Sequence, residues 1–159
     1  MKVVSNSSPL CYLRLIEEIH LLPAMFGEIH IPDAVVRELE DEGAPDVVRA
    51  WITQPPEWLR VQEVSAEFDP KLERLHAGER EAILLARRIK ADLVVMDEKA
   101  ARRIAKEQGL NVTGLIGILD EAATHGMIDL LTAVERLRQT SFRVSPQMLK
   151  TVLNRHYTH

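Results

Sequence analysis

The segment DLVVMDEKAARRIAKEQGLNV, residues 92–112, constrains the fold more than any other part of the sequence. The four apolar residues 93–96 form a continuous run, which is typical of a strand buried on both faces of a sheet. Residues with helical spacing follow at once, and a second short apolar segment follows Gly109. Strand, helix and strand in direct succession predict one unit of an α/β fold with parallel strands.

The same alternation recurs along the rest of the chain. Short strands are predicted at Val3–Ser5, at EIHIP (28–32) and at WLRVQEV (58–64). Strands that alternate with helices imply a parallel sheet covered on both faces. The predicted helices cover 11–22, 33–42 with Asp33 as N-cap and Gly43 beyond the end, 45–52, 76–91, 98–108, 113–126, 128–141 and 145–156.

Composition limits the class of protein. The 159 residues are 46% hydrophobic, enough for one domain over 1–159, with C-terminal helices at about 129–156 packed on it. Cys11 is the single cysteine, which favours a reducing compartment. We expect a cytoplasmic protein, because there is neither a signal peptide pattern nor an apolar run of roughly 18 residues. The net charge of -4 means that nucleic acid would need a local basic patch.

Carboxylates converge on one edge of the predicted sheet. Asp97 and Glu98 follow the apolar run directly, and the helix before that strand returns Glu79 and Glu81 to the same edge. Asn6 ends the first strand there as well. Clustered carboxylates raise one another's pKa unless a cation neutralises them, and oxygen ligands suit Mg²⁺ or Mn²⁺. The pattern therefore predicts a divalent cation site that serves phosphodiester hydrolysis.

Each of these acids also has a structural role that would explain it without a cation site. Glu79 and Glu81 lie in the first turn of a helix, where the macrodipole favours negative charge. Their spacing of about 200° around the helix does not decide which one faces the site. Asp97 suits an N-cap of the next helix.

A basic stripe begins beside Asp97. Its residues recur at helical spacing, so that they could hold a phosphate backbone or form a solvated helix face. The stripe comprises Lys99, Arg102, Arg103 and Lys106.

Four segments together resemble the PIN-like domains, in particular the small prokaryotic proteins described as predicted nucleic-acid-binding PIN proteins. They are VVSNSSPL, IPDAVVRELE, AGEREAILLA and ADLVVMDEKAARRIAKEQGLNVTGLIGIL. The resemblance implies a three-layer α/β/α sandwich with a parallel sheet of four to five strands. It also implies a homodimer and an acidic cluster that binds Mg²⁺ or Mn²⁺ for cleavage of single-stranded RNA. Many relatives are toxins, which implies an antitoxin protein as a partner.

The resemblance also assigns site residues. It implies Glu38, Glu81 and Asp97 as the acids of the site. The convergence at the sheet edge adds Asn6, Glu79 and Glu98 as further metal partners. Ser8 lies where the family often has a hydroxyl near the metal. The basic stripe, and not the resemblance, supplies Lys99, Arg102 and Arg103 as the candidate substrate contacts. Asn6 departs from the family, whose first strand usually ends in a metal-binding aspartate. A neutral amide should weaken Mg²⁺ binding.

Three hypotheses follow from these residues. The first is a metal-dependent ribonuclease of the PIN type. The second is a non-catalytic binding module that keeps the fold but holds the metal poorly, and Asn6 is its main support. The third is a phosphate-handling signalling domain, which would need paired acids after the first strand and a lysine after a late one. Asn6, Asn111 and Thr113 occupy those places.

Overall fold

A five-stranded parallel sheet forms the centre of the computed structural model, which describes residues 1–65 and 68–157. The strand order is β3-β2-β1-β4-β5, and every neighbouring pair is parallel. The predicted α/β fold with four to five parallel strands is confirmed. The strands are β1 (Val3–Ser5), β2 (Ile29–Pro32), β3 (Leu59–Gln62), β4 (Leu93–Val95) and β5 (Val112–Thr113).

Helices connect the strands and continue beyond the last one. After β5, helices occupy 115–124, 130–138 and 146–157, close to the three predicted over 113–126, 128–141 and 145–156. The predicted domain span of 1–159 includes residues 66–67 and 158–159, which lie outside the described residues. The helices are α1 (Ser7–Leu15), α2 (Leu21–Phe26), α3 (Asp33–Glu40), α4 (Asp46–Ile52), α5 (Ala77–Ile89), α6 (Lys99–Glu107), α7 (Leu115–Thr124), α8 (Leu130–Arg138) and α9 (Pro146–Tyr157), with a 3₁₀ turn at Pro70–Leu72.

Alternate residues of the strands build two separate cores. Val3 and Val95 pack on one face with apolar residues of α1, α4, α7, α8 and α9. Val4 and Val94 pack on the other face with α5 and α6. Because successive strand residues point to opposite faces, a three-residue strand can serve both cores only if all its residues are apolar or small. This requirement explains the continuous apolar runs in the sequence.

The helix predicted over 11–22 is divided into α1 and α2. Glu17 has a φ of 63°, and the Glu18 N–H donates to the Leu13 carbonyl at 2.8 Å, which closes the end of α1. Pro23 lacks an N–H and would clash with the carbonyl four residues earlier in a continuous helix. It fits instead in the first turn of α2.

The sheet has a topological switch point between β1 and β4. From β1 the chain proceeds to β2 on one side, whereas β4 pairs with β1 on the other side and leads to β5. The helix after β1 packs on one face, and the helix after β4 packs on the other. Open α/β sheets bind ligands at this position, where the outgoing chains diverge. None of the helices in the described stretches combines the length and apolar composition that crossing a bilayer requires.

Candidate active site

A cavity of about 410 Å³ lies at the switch point, where β1 and β4 end. Four carboxylates and one arginine are among the residues that line it. The lining comes from the start of α1, from α3, from the start of α5, from the end of β4 and from the connection between α8 and α9. Its residues are Asn6, Ser7, Ser8, Tyr12, Glu38, His76, Glu79, Asp97, Glu98, Ser141, Phe142 and Arg143.

Asp97 is held by two hydrogen bonds. The Leu115 N–H at the start of α7 donates to Oδ1 at 2.8 Å, and the Ser8 hydroxyl donates to Oδ2 at 3.3 Å. Burial raises the pKa of the Asp97 carboxyl, and these two hydrogen bonds and the charge of Arg102 oppose the shift. Asp97 is therefore not the N-cap of α6, because Glu98 takes that position and accepts from the Ala100 N–H at 3.3 Å.

Glu38 joins α3 to α1 and α5. Its Oε1 accepts from the Ser7 hydroxyl at 2.8 Å, and its Oε2 accepts from the Gly78 N–H at 3.2 Å. A Cβ at position 78 would lie 2.6 Å from Glu38 Cδ, so that glycine lets the carboxylate occupy this position and any other residue would displace it. The resemblance alone indicated Glu38, and the structure places it in the cavity with Asp97.

Glu79 is a buried carboxylate, 7% exposed, in the first turn of α5. The His76 N–H donates to its Oε1 at 3.2 Å. Burial is the largest cause of its raised pKa, and the negative charges of Glu98 and Glu38 act in the same direction. The His76 hydrogen bond and charge oppose the shift. Glu79 is thus close enough to both acids for their charges to affect it.

Glu81 lies outside the cavity. Its Oε1 accepts from the Ala34 N–H at 3.3 Å, and its Oε2 lies 3.6 Å from Arg37 Nη2. The first helical residue of α3 is Asp33, and Pro32 at the N-cap has no side-chain acceptor, so that Glu81 of α5 supplies one. Of the two acids that spacing left open, the structure places Glu79 at the cavity and Glu81 at the start of another helix.

Asn6 is 4% exposed and continues the pairing of β1 with β4 through its N–H, which donates to the Val95 carbonyl at 2.9 Å. Its side-chain Oδ1 accepts from the Ser7 N–H at 2.8 Å and so caps α1. The predicted end of the first strand is therefore at the cavity. The amide oxygen is already engaged by the backbone.

The basic stripe lies beside the cavity rather than in it. Arg103 pairs with Glu107 at 3.9 Å, and both side chains are exposed. Arg102 lies near Gly114 and Asp97, where its charge partly offsets the rise in the pKa of Asp97 that burial causes. Lys99 is the exposed first residue of α6. None of these three residues is among those that line the cavity.

Six lining residues were not predicted as site residues from the sequence, and one of them is Ser7 at the first position of α1. His76 precedes the AGEREA segment, and its position just before the first helical turn was the available signal. Tyr12, Ser141, Phe142 and Arg143 form the wall contributed by α1 and the α8–α9 connection. No local pattern indicates that this connection returns to the sheet edge, because the approach is set by long-range packing.

The donor chemistry of the cavity fits Mg²⁺ or Mn²⁺. The carboxylates of Glu38, Glu79 and Asp97 provide hard oxygen ligands, and the raised pKa of two of them reflects burial of negative charge. In the described part of the chain, no three Asp, Glu, His or Cys side chains are placed to hold an ion together. Mg²⁺ is commonly held by one or two carboxylates, with water and substrate phosphate as its other ligands.

Comparisons with known proteins agree with this architecture. A family model described as PIN domain matches residues 2–157. The fold is similar to a solved PilT N-terminus domain protein from the hyperthermophilic archaeon Sulfolobus solfataricus P2, with a TM-score of 0.56 and 23% identity. The alignment covers 77% of this chain and 93% of that chain, and at this identity it supports a shared fold alone. No curated protein is significantly similar to the chain.

Proposed function

The chain belongs to the PIN domain family, a family of nuclease-type modules, and from this membership we propose that it is a metal-dependent nuclease that hydrolyses single-stranded RNA. The observation that carries the proposal is the meeting of Glu38, Glu79 and Asp97 in one cavity at the switch point. These acids come from three distant segments of the chain. The toxin role, an antitoxin partner and the homodimer stay predictions of the family resemblance.

The protein's own groups have separable tasks in this proposal. Asp97 and Glu79 would hold Mg²⁺ or Mn²⁺, with Glu38 beside them. Ser8, Ser7 and the α7 N-terminus fix the carboxylates through the hydrogen bonds described above. Such an ion would lower the pKa of a bound water and would neutralise negative charge on the substrate phosphate. Without one, four carboxylates repel a phosphodiester.

Cleavage of a labelled single-stranded RNA in Mg²⁺ or Mn²⁺ tests the proposal. We expect wild-type cleavage to stop in EDTA and to fall at least a hundredfold in Asp97→Asn, since the isosteric amide removes a charge from the site. Glu73→Gln is the matched control, because Glu73 is exposed and outside the cavity. Cleavage that is indifferent to both EDTA and Asp97→Asn contradicts the proposal.

A non-catalytic RNA-binding module is the second candidate function. Asn6 favours it, because a neutral side chain occupies the end of β1 and its oxygen already caps α1. This function predicts RNA binding without cleavage and no change in the unfolding midpoint at millimolar Mn²⁺. An ion that binds only the folded state would raise the midpoint, so that the same titration distinguishes the two functions.

A further inference from the structure

The connection between α8 and α9, residues 139–145, forms one wall of the acidic cavity. Tyr12 of α1 anchors it twice. The Tyr12 hydroxyl and Ser141 Oγ lie 2.7 Å apart, and the rings of Tyr12 and Phe142 pack edge to face with centroids 5.0 Å apart. Because α1 begins at the switch point, these contacts fix the position of the connection relative to the carboxylates.

Arg143 follows these anchored residues directly. It is exposed, and it is the one lysine or arginine among the described residues that line the acidic cavity. In the part of the chain that the structure describes, its guanidinium has no carboxylate partner, although four carboxylates line the same cavity. Its donors are therefore available to a ligand from solution.

Phe142 and Arg143 also line a second cavity of about 690 Å³, between the connection and α9. Its other walls include the basic side chains of Arg138 and Lys150. Arg138 is paired with Glu135 at 3.4 Å, whereas Lys150 is exposed. Phe142 and Arg143 line both cavities, so that the second cavity, a groove with basic side chains, adjoins the acidic site.

A guanidinium at this junction suits a phosphate. Its planar donors bind phosphate oxygens in pairs, and the contact offsets the repulsion that a polyanion meets at the carboxylates. Neither Arg102 nor Arg103 of the α6 stripe lines either cavity. Arg143 therefore places a cation in the lining of the acidic cavity itself, with Lys150 in the adjoining groove, whereas Arg102 acts on Asp97 from outside that lining.

We propose that Arg143 binds a backbone phosphate of single-stranded RNA at the mouth of the acidic cavity, and that the strand continues along the groove toward Lys150. This inference rests on the proposed function for its substrate class. It goes further by naming the phosphate contact and the direction of the strand. Arg143 thereby positions the strand against the carboxylates.

Fluorescence anisotropy with a labelled ten-nucleotide oligouridylate in EDTA tests this assignment. We expect Arg143→Gln to weaken binding about fivefold at 0.1 M monovalent salt and to reduce the slope of log K against log salt by about 0.7, the effect of one lost phosphate contact on a single strand. Arg143→Lys keeps the charge and should restore most of the affinity. Arg49→Gln is the matched control, because Arg49 lies on α4 beside Asp46 and outside both cavities.

Two results overturn the inference: wild-type protein that does not bind the oligonucleotide in EDTA, or an Arg143→Gln slope equal to that of Arg49→Gln. Cleavage assays in Mg²⁺ separate this failure from failure of the proposed function. If cleavage depends on Asp97 but Arg143→Gln has the wild-type KM, the proposed nuclease function stands and the Arg143 phosphate contact is refuted. If RNA binding depends on Arg143 but no cleavage occurs, the phosphate contact stands and the proposed nuclease function is refuted.

Discussion

At the scale of single residues, neighbouring acids in one helical turn have different surroundings. Glu79 points into the cavity, whereas Glu81 supplies an acceptor to the start of α3. Both positions satisfy the same preference for acids near a helix N-terminus, so that sequence spacing alone left them equivalent. The packing of α5 against α3 decides between them, and that packing is not encoded in the local pattern.

We expect Glu79→Gln and Glu81→Gln to separate metal binding from stability. Glu79→Gln should reduce the rise of the unfolding midpoint in Mn²⁺, because it removes a carboxylate from the cavity. Glu81→Gln should keep that rise and lower the free energy of unfolding in EDTA by about 0.3–1 kcal/mol, because it removes negative charge from the α3 N-terminus. Thermal unfolding with and without Mn²⁺ measures both. Equal Mn²⁺ responses in the two variants would contradict this division of roles.

The raised pKa values of Glu79 and Asp97 predict a pH dependence of stability. A folded-state pKa above the unfolded value means that folding favours the protonated form. The stabilisation is complete below the unfolded pKa and is lost as pH rises through the folded pKa. In EDTA, we therefore expect Glu79→Gln and Asp97→Asn to gain stability relative to wild type as pH rises from the ordinary carboxyl range.

Urea unfolding across this pH range measures that difference. Glu73→Gln is the control, because Glu73 is exposed and outside the cavity. If the free energies of unfolding of wild type and Glu79→Gln differ by the same amount at every pH, position 79 does not carry a buried charge.

At the scale of elements, α5 meets α3 through a glycine. Gly78 donates its N–H to Glu38, and a Cβ there would overlap the Glu38 carboxylate. That carboxylate is the far end of a flexible side chain, so that it can move away at low cost. The close approach therefore determines the position of Glu38 more than it determines the stability of the fold.

Gly78→Ala should accordingly change the free energy of unfolding by less than about 1 kcal/mol, because the higher helix propensity of alanine offsets the displaced contact. It should also weaken the Mn²⁺ response, since Glu38 leaves its place in the cavity. Gly43→Ala is the matched control, because Gly43 is exposed and does not touch Glu38. Mn²⁺ titrations that are identical for the two variants would show that the position of Glu38 does not matter.

The elements themselves were largely predictable. The continuous apolar run before Asp97 and the helical spacing of residues 76–91 each specified one element through local burial. The single helix over 11–22 was wrong, because the left-handed Glu17 ends the first helix inside that range and a second helix begins only at Leu21. The wall containing Phe142 and Arg143 was missed, because only the tertiary contact with Tyr12 brings it to the site.

At the scale of the whole molecule, the strand order determines the position of the candidate site. The two outgoing chains after β1 and β4 diverge to opposite faces, and the cavity occupies the space between them. Asn6 stands at the end of the first of these strands with its backbone paired to the second. A substitution there changes the charge of the site without changing the architecture, because aspartate is also a good N-cap for α1.

Asn6→Asp should therefore increase Mn²⁺ affinity and the rate of RNA cleavage. In EDTA it should lower the unfolding midpoint at neutral pH, because a buried charge is added beside other carboxylates. Unfolding midpoints measured in EDTA and against Mn²⁺ concentration give the stability and the Mn²⁺ affinity, and the RNA cleavage assay gives the rate. A variant with wild-type midpoints in EDTA and in Mn²⁺ would mean that position 6 is electrostatically separate from the site.

The most direct test of the account is a crystal structure of the wild-type protein in millimolar Mn²⁺, with data collected for anomalous scattering from manganese. The account predicts an anomalous peak in the cavity at the ends of β1 and β4, within coordination distance of Asp97 and Glu79. A map without a peak there, or with manganese bound only elsewhere, would contradict it.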